Sequence, residues 1–114
     1  MNNRYLFLLV LLPGALDASQ TVELPKDAIK PFLGKNCIRC HGPEKQKGKM
    51  RLDTLPLEIS NNSVAQRWQD VLDALNAGDM PPEDEPQPDP AAKADFLEAL
   101  ASTMVDARRN LADR

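Results

Sequence analysis

Apolar residues recur at helical spacing in two long stretches of the chain and lose all period between the first of these and the segment before it. Val64, Trp68, Val71, Leu72 and Leu75 fall at intervals of one, three and four, which gathers side chains on one face of an α-helix. Ser63 and Gln66 form a capping-box pair where this stretch opens, and Gly78 supplies a stop, so a helix is predicted between them. Farther on, Phe96, Leu97, Leu100, Met104 and Leu111 share one broad stripe, preceded by Asp89 as cap and Pro90 at the first helical position. A shorter helix is predicted between about Asp27 and Asn36. Pro31 is awkward there, since proline is welcome only in a first turn, and the helix either begins near Pro31 or kinks at it. Residues 42–60 hold glycines, prolines and cations without a helical period and read as a long loop. No alternation of period two extends beyond a few residues, so the pattern predicts an all-α domain of about three main helices.

The start of the chain follows a different rule. Arg4 precedes an apolar run from Tyr5 to Leu12, Pro13 and Gly14 break it, and small residues follow at Ala15, Ala18 and Ser19. This predicts a signal peptide over residues 1–18, cleaved near Ala18, with residues 19–114 as one domain. The run falls short of the roughly 20 apolar residues that span a bilayer, so no permanent membrane anchor is expected. No cysteine follows the run, which argues against a lipoprotein anchor. The expected location is therefore periplasmic or otherwise extracytoplasmic.

The chain has two cysteines and one histidine, and all three stand together in Cys37-Ile38-Arg39-Cys40-His41. C-x-x-C-H is the attachment signature of c-type haem. Thiols three positions apart can add to the two haem vinyl groups, and the histidine that follows directly can bind the iron. A structural zinc site needs four Cys or His ligands and this unit offers three. A thioredoxin-like dithiol would open a helix after a strand, and the residues upstream show no β-branched alternation. A simple disulfide is the plain alternative. The motif occurs once, so one covalently bound haem c is expected. Aromatic residues make up 4% of the chain, few for the core of so small a domain. A buried haem would supply the missing apolar mass, and the haem-free chain is expected to fold poorly.

The function turns on what lies opposite His41. A haem held by one histidine is open to small molecules, whereas a second protein ligand closes the iron and leaves electron transfer as its use. With no other histidine, the candidates after the signal sequence are Met50, Met80 and Met104, with lysines as an outside choice. Met104 lies on the apolar stripe of the third helix, where methionine serves as core filler. Met50 stands in a loop rich in glycine and lysine, close in sequence to His41, and would have difficulty reaching the opposite face of the porphyrin. Met80, in Gly78-Asp79-Met80-Pro81-Pro82, is followed by two prolines that restrict the backbone to extended geometry. A stiff loop can hold a weak thioether against iron, which makes Met80 the preferred ligand, with the plugging of an apolar gap beneath the turn as the alternative.

The ordered combination Phe32-Leu33, Cys37-x-x-Cys40-His41-Gly42, Met50-Arg51-Leu52-Asp53, Trp68, Leu75 and Gly78-Asp79-Met80-Pro81-Pro82 resembles the small cytochrome c domains. It is most similar to the planctomycete-type domain found at the front of larger exported proteins. The resemblance covers nearly all of the chain after the signal sequence. It implies a small cytochrome c-like fold wrapped around one haem, with the first and last helices crossing beside it. It also implies that Cys37 and Cys40 bond the haem, that His41 is the proximal ligand and that Met80 is the distal one. Trp68 resembles a tryptophan that lies near a haem propionate in many such domains, with core packing as the alternative. Arg51 is a further candidate for a propionate contact, with plain solvation as its alternative. Since such domains usually precede others, a free-standing carrier and a piece of a longer protein both stay open.

Charge adds a question of partners. The net charge is −3, yet residues 26–51 hold eight Lys or Arg against two acids, and residues 52–114 hold five against thirteen. The basic part surrounds the haem motif and could steer the molecule toward an acidic redox partner, or could be ordinary solvation of a loop. Nucleic-acid binding is not expected of an exported chain with a pI near 5.1. The expected function is one-electron transfer by a monohaem c-type cytochrome with His/Met ligation, without enzymatic activity of its own. Two alternatives are a five-coordinate haem protein that binds or reduces a small ligand, as a sensor or peroxidase would, and a haem subunit relaying electrons within a larger dehydrogenase complex.

Overall fold

The structure is a computed structural model and describes residues 8–11 and 21–113. The predicted signal peptide over 1–18 lies outside the described residues, apart from 8–11. Three helices carry the fold: α1 at Lys26–Asn36, α2 at Asn62–Ala77 and α3 at Pro90–Ala112. Two short strands, β1 at Val22–Glu23 and β2 at Glu58–Ile59, pair antiparallel with Val22 opposite Ile59. The all-α expectation is thus corrected to a mostly helical domain with a small two-stranded sheet. Strands of two residues carry no readable period. Their pairing is supported by burial nearby, since Leu24 and Ile59 are enclosed in the core.

Helix α1 begins at Lys26 and runs on through Pro31 instead of starting there. An interior proline costs about 3 kcal/mol, because it removes one backbone donor and crowds the preceding turn. Pro31 lies on the exposed side, where water can satisfy the carbonyl that loses its partner, while Ile29, Phe32 and Leu33 are buried. Full burial of such side chains contributes roughly 1.5–3 kcal/mol each, which outweighs the local penalty. Phe32 stacks on Phe96 of α3 with ring centroids 4.2 Å apart and an interplanar angle of 17°, locking the first helix to the last.

The start of α2 differs from the sequence expectation. Asn61 is the N-cap, its side chain accepting from the Val64 N–H at 2.9 Å, and Ser63 lies inside the first turn. Gln66 turns instead to Asp70, donating at 2.9 Å, so the Ser63–Gln66 capping box does not form. Asparagine caps at least as well as serine and stands where the chain leaves the β2 segment. The other ends agree with the sequence. Gly78 adopts φ 76° and donates its N–H to the carbonyls of Ala74 and Leu75. Asp89 caps α3 by accepting from the Ala92 N–H at 3.0 Å, with Pro90 first in the helix. The core gathers Trp68, Val71, Leu72 and Leu75 of α2 with Phe96, Leu100, Met104 and Ala107 of α3. Met104 is 3% exposed and fills this core, which agrees with the filler role.

Candidate functional site

The C-x-x-C-H unit follows directly on α1. The Cys37 N–H donates to Leu33 O at 2.9 Å, so the first cysteine prolongs the helical hydrogen bonding. The N–H groups of Cys40 and His41 both return to Cys37 O, at 3.2 and 3.0 Å. These bonds wind Cys37, Cys40 and His41 into one tight turn. Gly42 ends it for a steric reason: a Cβ there would lie 2.3 Å from Ile38 O and 2.7 Å from Ile38 Cγ2. Only a residue without a side chain permits the turn to close so tightly.

The loop after the motif is tied back to it. The Lys47 N–H donates to Cys40 O at 2.9 Å, and the Leu52 N–H donates to His41 O at 2.7 Å. Leu52 is buried, anchoring the return. The His41 Nδ1 lies 3.2 Å from Met50 O. A carbonyl oxygen only accepts, so this contact places the proton on Nδ1 and leaves Nε2 with its lone pair for a metal. The Met50 carbonyl is the functional group that the sequence reading missed. In the sequence Met50 reads only as a candidate iron ligand, and no residue-type signal marks a backbone carbonyl.

Cys37, Cys40, His41, Met50, Leu52 and Met80 line one cavity of about 390 Å³, within the range of small-molecule and cofactor sites. Val71, Ala74 and Leu75 of α2, together with Phe32, give it apolar walls, and Pro81, Pro82 and Pro86 close another side. Lys35, Asn36, Arg39, Asp70, Glu85 and Gln87 are the charged or amide-bearing residues of the lining. Arg39 and Glu85 form an ion pair that joins the cysteine turn to the proline-rich loop. Both cysteines are free thiols. Burial, with a smaller contribution from Cys40, pushes the Cys37 thiol up to about 11 and keeps it protonated at neutral pH.

Met80 is brought to this cavity from the far side of the chain and is 40% exposed. Its N–H and that of Asp79 both donate to Ala74 O, at 3.3 and 3.0 Å, so the end of α2 fixes where the loop departs. The peptide bond between Met80 and Pro81 is cis. The two candidates for a propionate contact, Trp68 and Arg51, are not among the residues that line the cavity. Trp68 is fully buried, does not line the cavity, and donates its indole N–H to Pro56 O at 2.8 Å. That bond and its burial are what a packed core tryptophan shows. Arg51 also lies off the cavity lining and forms a two-pronged pair with Asp53, at 2.8 and 2.9 Å. That pair lowers the Asp53 carboxyl below its ordinary value, chiefly through the side-chain hydrogen bond from Arg51.

A helical domain in which two thiols and an imidazole line an apolar cavity is of the kind built to carry haem through C-x-x-C-H. Residues 37–84 match the family described as Planctomycete cytochrome C, and the resemblance to a planctomycete-type cytochrome c domain stands on that match. Neither the curated proteins nor the solved structures contain a match to the chain. The family implies haem, and the residues present fit it. The thiols are unpaired, the imidazole has one nitrogen satisfied by a carbonyl and one left over, and the walls are largely aliphatic. Among the described residues, no helix is long and apolar enough to cross a membrane.

Proposed function

We propose that the protein is an exported one-electron carrier, a monohaem c-type cytochrome in which Cys37 and Cys40 hold the haem, His41 is the proximal ligand and Met80 the distal one. The helices would then wrap the haem, and the apolar cavity would be its seat. The observation that carries the reading is the meeting of Met80 with Cys37, Cys40 and His41 around one cavity. Met50 reaches the same cavity, but its carbonyl serves His41, which keeps its backbone on the histidine side. A thioether opposite an imidazole favours ferrous iron and raises the reduction potential. Apolar walls act in the same direction, because the extra charge of ferric iron is costly where water is excluded. No group in the site is required to move a proton, so the role is electron relay and not catalysis.

The absorption spectrum of the purified holo-protein tests this. Thioether-to-iron ligation adds a weak band at the red end of the ferric visible spectrum, which should vanish in Met80→Ala and survive in Met50→Ala. Loss with Met50 in place of Met80 would overturn the ligand assignment, and carbon monoxide binding to the untreated ferrous protein would favour an open, five-coordinate iron. Export follows from the leader-like residues 1–18 and would be seen as a periplasmic holo-protein lacking them. The basic residues around the motif suit redox partners with acidic docking surfaces. Electron-transfer rates should then fall as ionic strength rises, and a flat salt dependence would remove that part of the reading.

A further inference from the structure

Five of the ten residues from Pro81 to Pro90 are proline, so the loop behind Met80 has few backbone N–H groups with which to hold its own shape. One internal backbone bond is present, from the Glu85 N–H to Pro82 O at 2.9 Å. The missing donors are replaced by one side chain. Gln87 Nε2 lies 3.2 Å from Pro81 O, 2.9 Å from Pro82 O and 3.0 Å from Glu85 O, its two hydrogens shared among three carbonyls. A surface glutamine is ordinarily free to rotate in water. Here its amide is turned back onto the loop, and the first carbonyl it meets belongs to the residue directly after Met80.

We propose that Gln87 is a positioning residue that fixes the Met80 loop against the haem cavity, a role that rests on Met80 being the distal ligand. A thioether is a weak ligand, and its hold on iron depends on how narrowly the chain presents it. Stiff prolines limit the conformations of each residue but do not choose among the remaining arrangements of the loop. The amide does so by tying the start of the loop at residues 81 and 82 to its turn at residue 85. The Arg39–Glu85 pair then joins that turn to the cysteine side of the cavity.

The test is an imidazole titration of the ferric holo-protein, followed by its visible spectrum, in which imidazole displaces the distal ligand. Gln87→Ala and Gln87→Glu should each bind imidazole about five-fold more tightly than the natural protein, the scale of one net hydrogen bond. Gln87→Glu keeps the length of the side chain and removes its donors, so it separates donation from packing. Thermal unfolding of both variants should stay close to that of the natural protein, which a merely structural role would not predict. Natural affinity in both variants, with tighter binding in Met80→Ala, would overturn the clasp and leave Met80 as ligand. Natural affinity in Gln87→Glu alone would show that bulk, not donation, matters, and would overturn it too. Natural affinity in Met80→Ala would instead remove the ligand assignment on which the clasp depends.

Discussion

The two sides of the cavity are held by different means. The cysteine turn and its return loop, residues 37–52, are secured by main-chain hydrogen bonds: Cys40 and His41 to Cys37, Lys47 to Cys40 and Leu52 to His41. The Met80 side leaves α2 through two bonds to Ala74 O and then enters a segment where prolines have removed the donors. From there, side chains do the holding, Gln87 within the loop and Glu85 to Arg39 across the cavity. The main-chain bonds of the first side are several and share the load, whereas each side-chain tie of the second depends on a single residue. A site built in this way has one rigid face, held by a network of main-chain bonds, and one face held by a few separate side chains.

The largest expected effect comes from removing the two thiols of the rigid face. Cys37→Ala combined with Cys40→Ala should abolish covalent haem and lower the far-ultraviolet helical signal well below that of the holo-protein. Full helicity in the double variant would show that the core does not need haem. Gly42→Ala addresses the same face through sterics alone. With a Cβ driven to 2.3 Å from a backbone oxygen, the holo-protein should lose about 3 kcal/mol in denaturant unfolding. An unchanged midpoint would mean that the turn relaxes freely and is not the rigid half.

Smaller effects are expected from the single ties. Glu85→Gln removes the charge that pairs with Arg39 on an exposed rim, and should cost less than about 1 kcal/mol, less still in high salt. A loss as large as that of Gly42→Ala would erase the difference between the two faces. The smallest effect concerns the Arg51–Asp53 pair. The folded protein holds the Asp53 carboxyl below its ordinary value of 3.8, so its contribution is present above that value and is lost as pH falls through the lower, folded one. Melting curves of the holo-protein should show a slight extra decline in this acid range, and Asp53→Asn should remove it. An identical acid limb in both proteins would exclude the pair as its source.

Much of the local structure was legible. Gly78 and Asp89 end and begin their helices as their residue types require, and Met104 fills the core as its place on an apolar stripe suggests. Where the reading failed, a competing local choice had no distinct pattern. Asn61 caps in place of Ser63, because two good capping residues stand two positions apart and the path of the incoming chain selects between them. Pro31 is tolerated because its side of α1 faces water, which shows only once α1 has packed on α3. For Trp68 and Arg51 the sequence offers a propionate contact beside packing or solvation, and the partners in the fold, Pro56 O and Asp53, have no signature along the chain. Gln87 reads as a polar residue in a solvated connector until its three carbonyls are seen.

By itself, the sequence determined the chemistry that depends on neighbours along the chain. Two thiols and an imidazole within five residues define a haem-attachment unit wherever it folds, and capping residues and glycines set helix ends through bonds that span only three or four positions. Tertiary structure alone decided which distant groups meet. It brought the Met50 carbonyl to His41 Nδ1, gave Trp68 its acceptor, carried Met80 to the cavity of the C-x-x-C-H unit and turned Gln87 onto the loop between. The physical reason is that these contacts involve backbone carbonyls and loop positions, which have no residue-type signature and acquire their partners only when helix packing fixes the path of the chain.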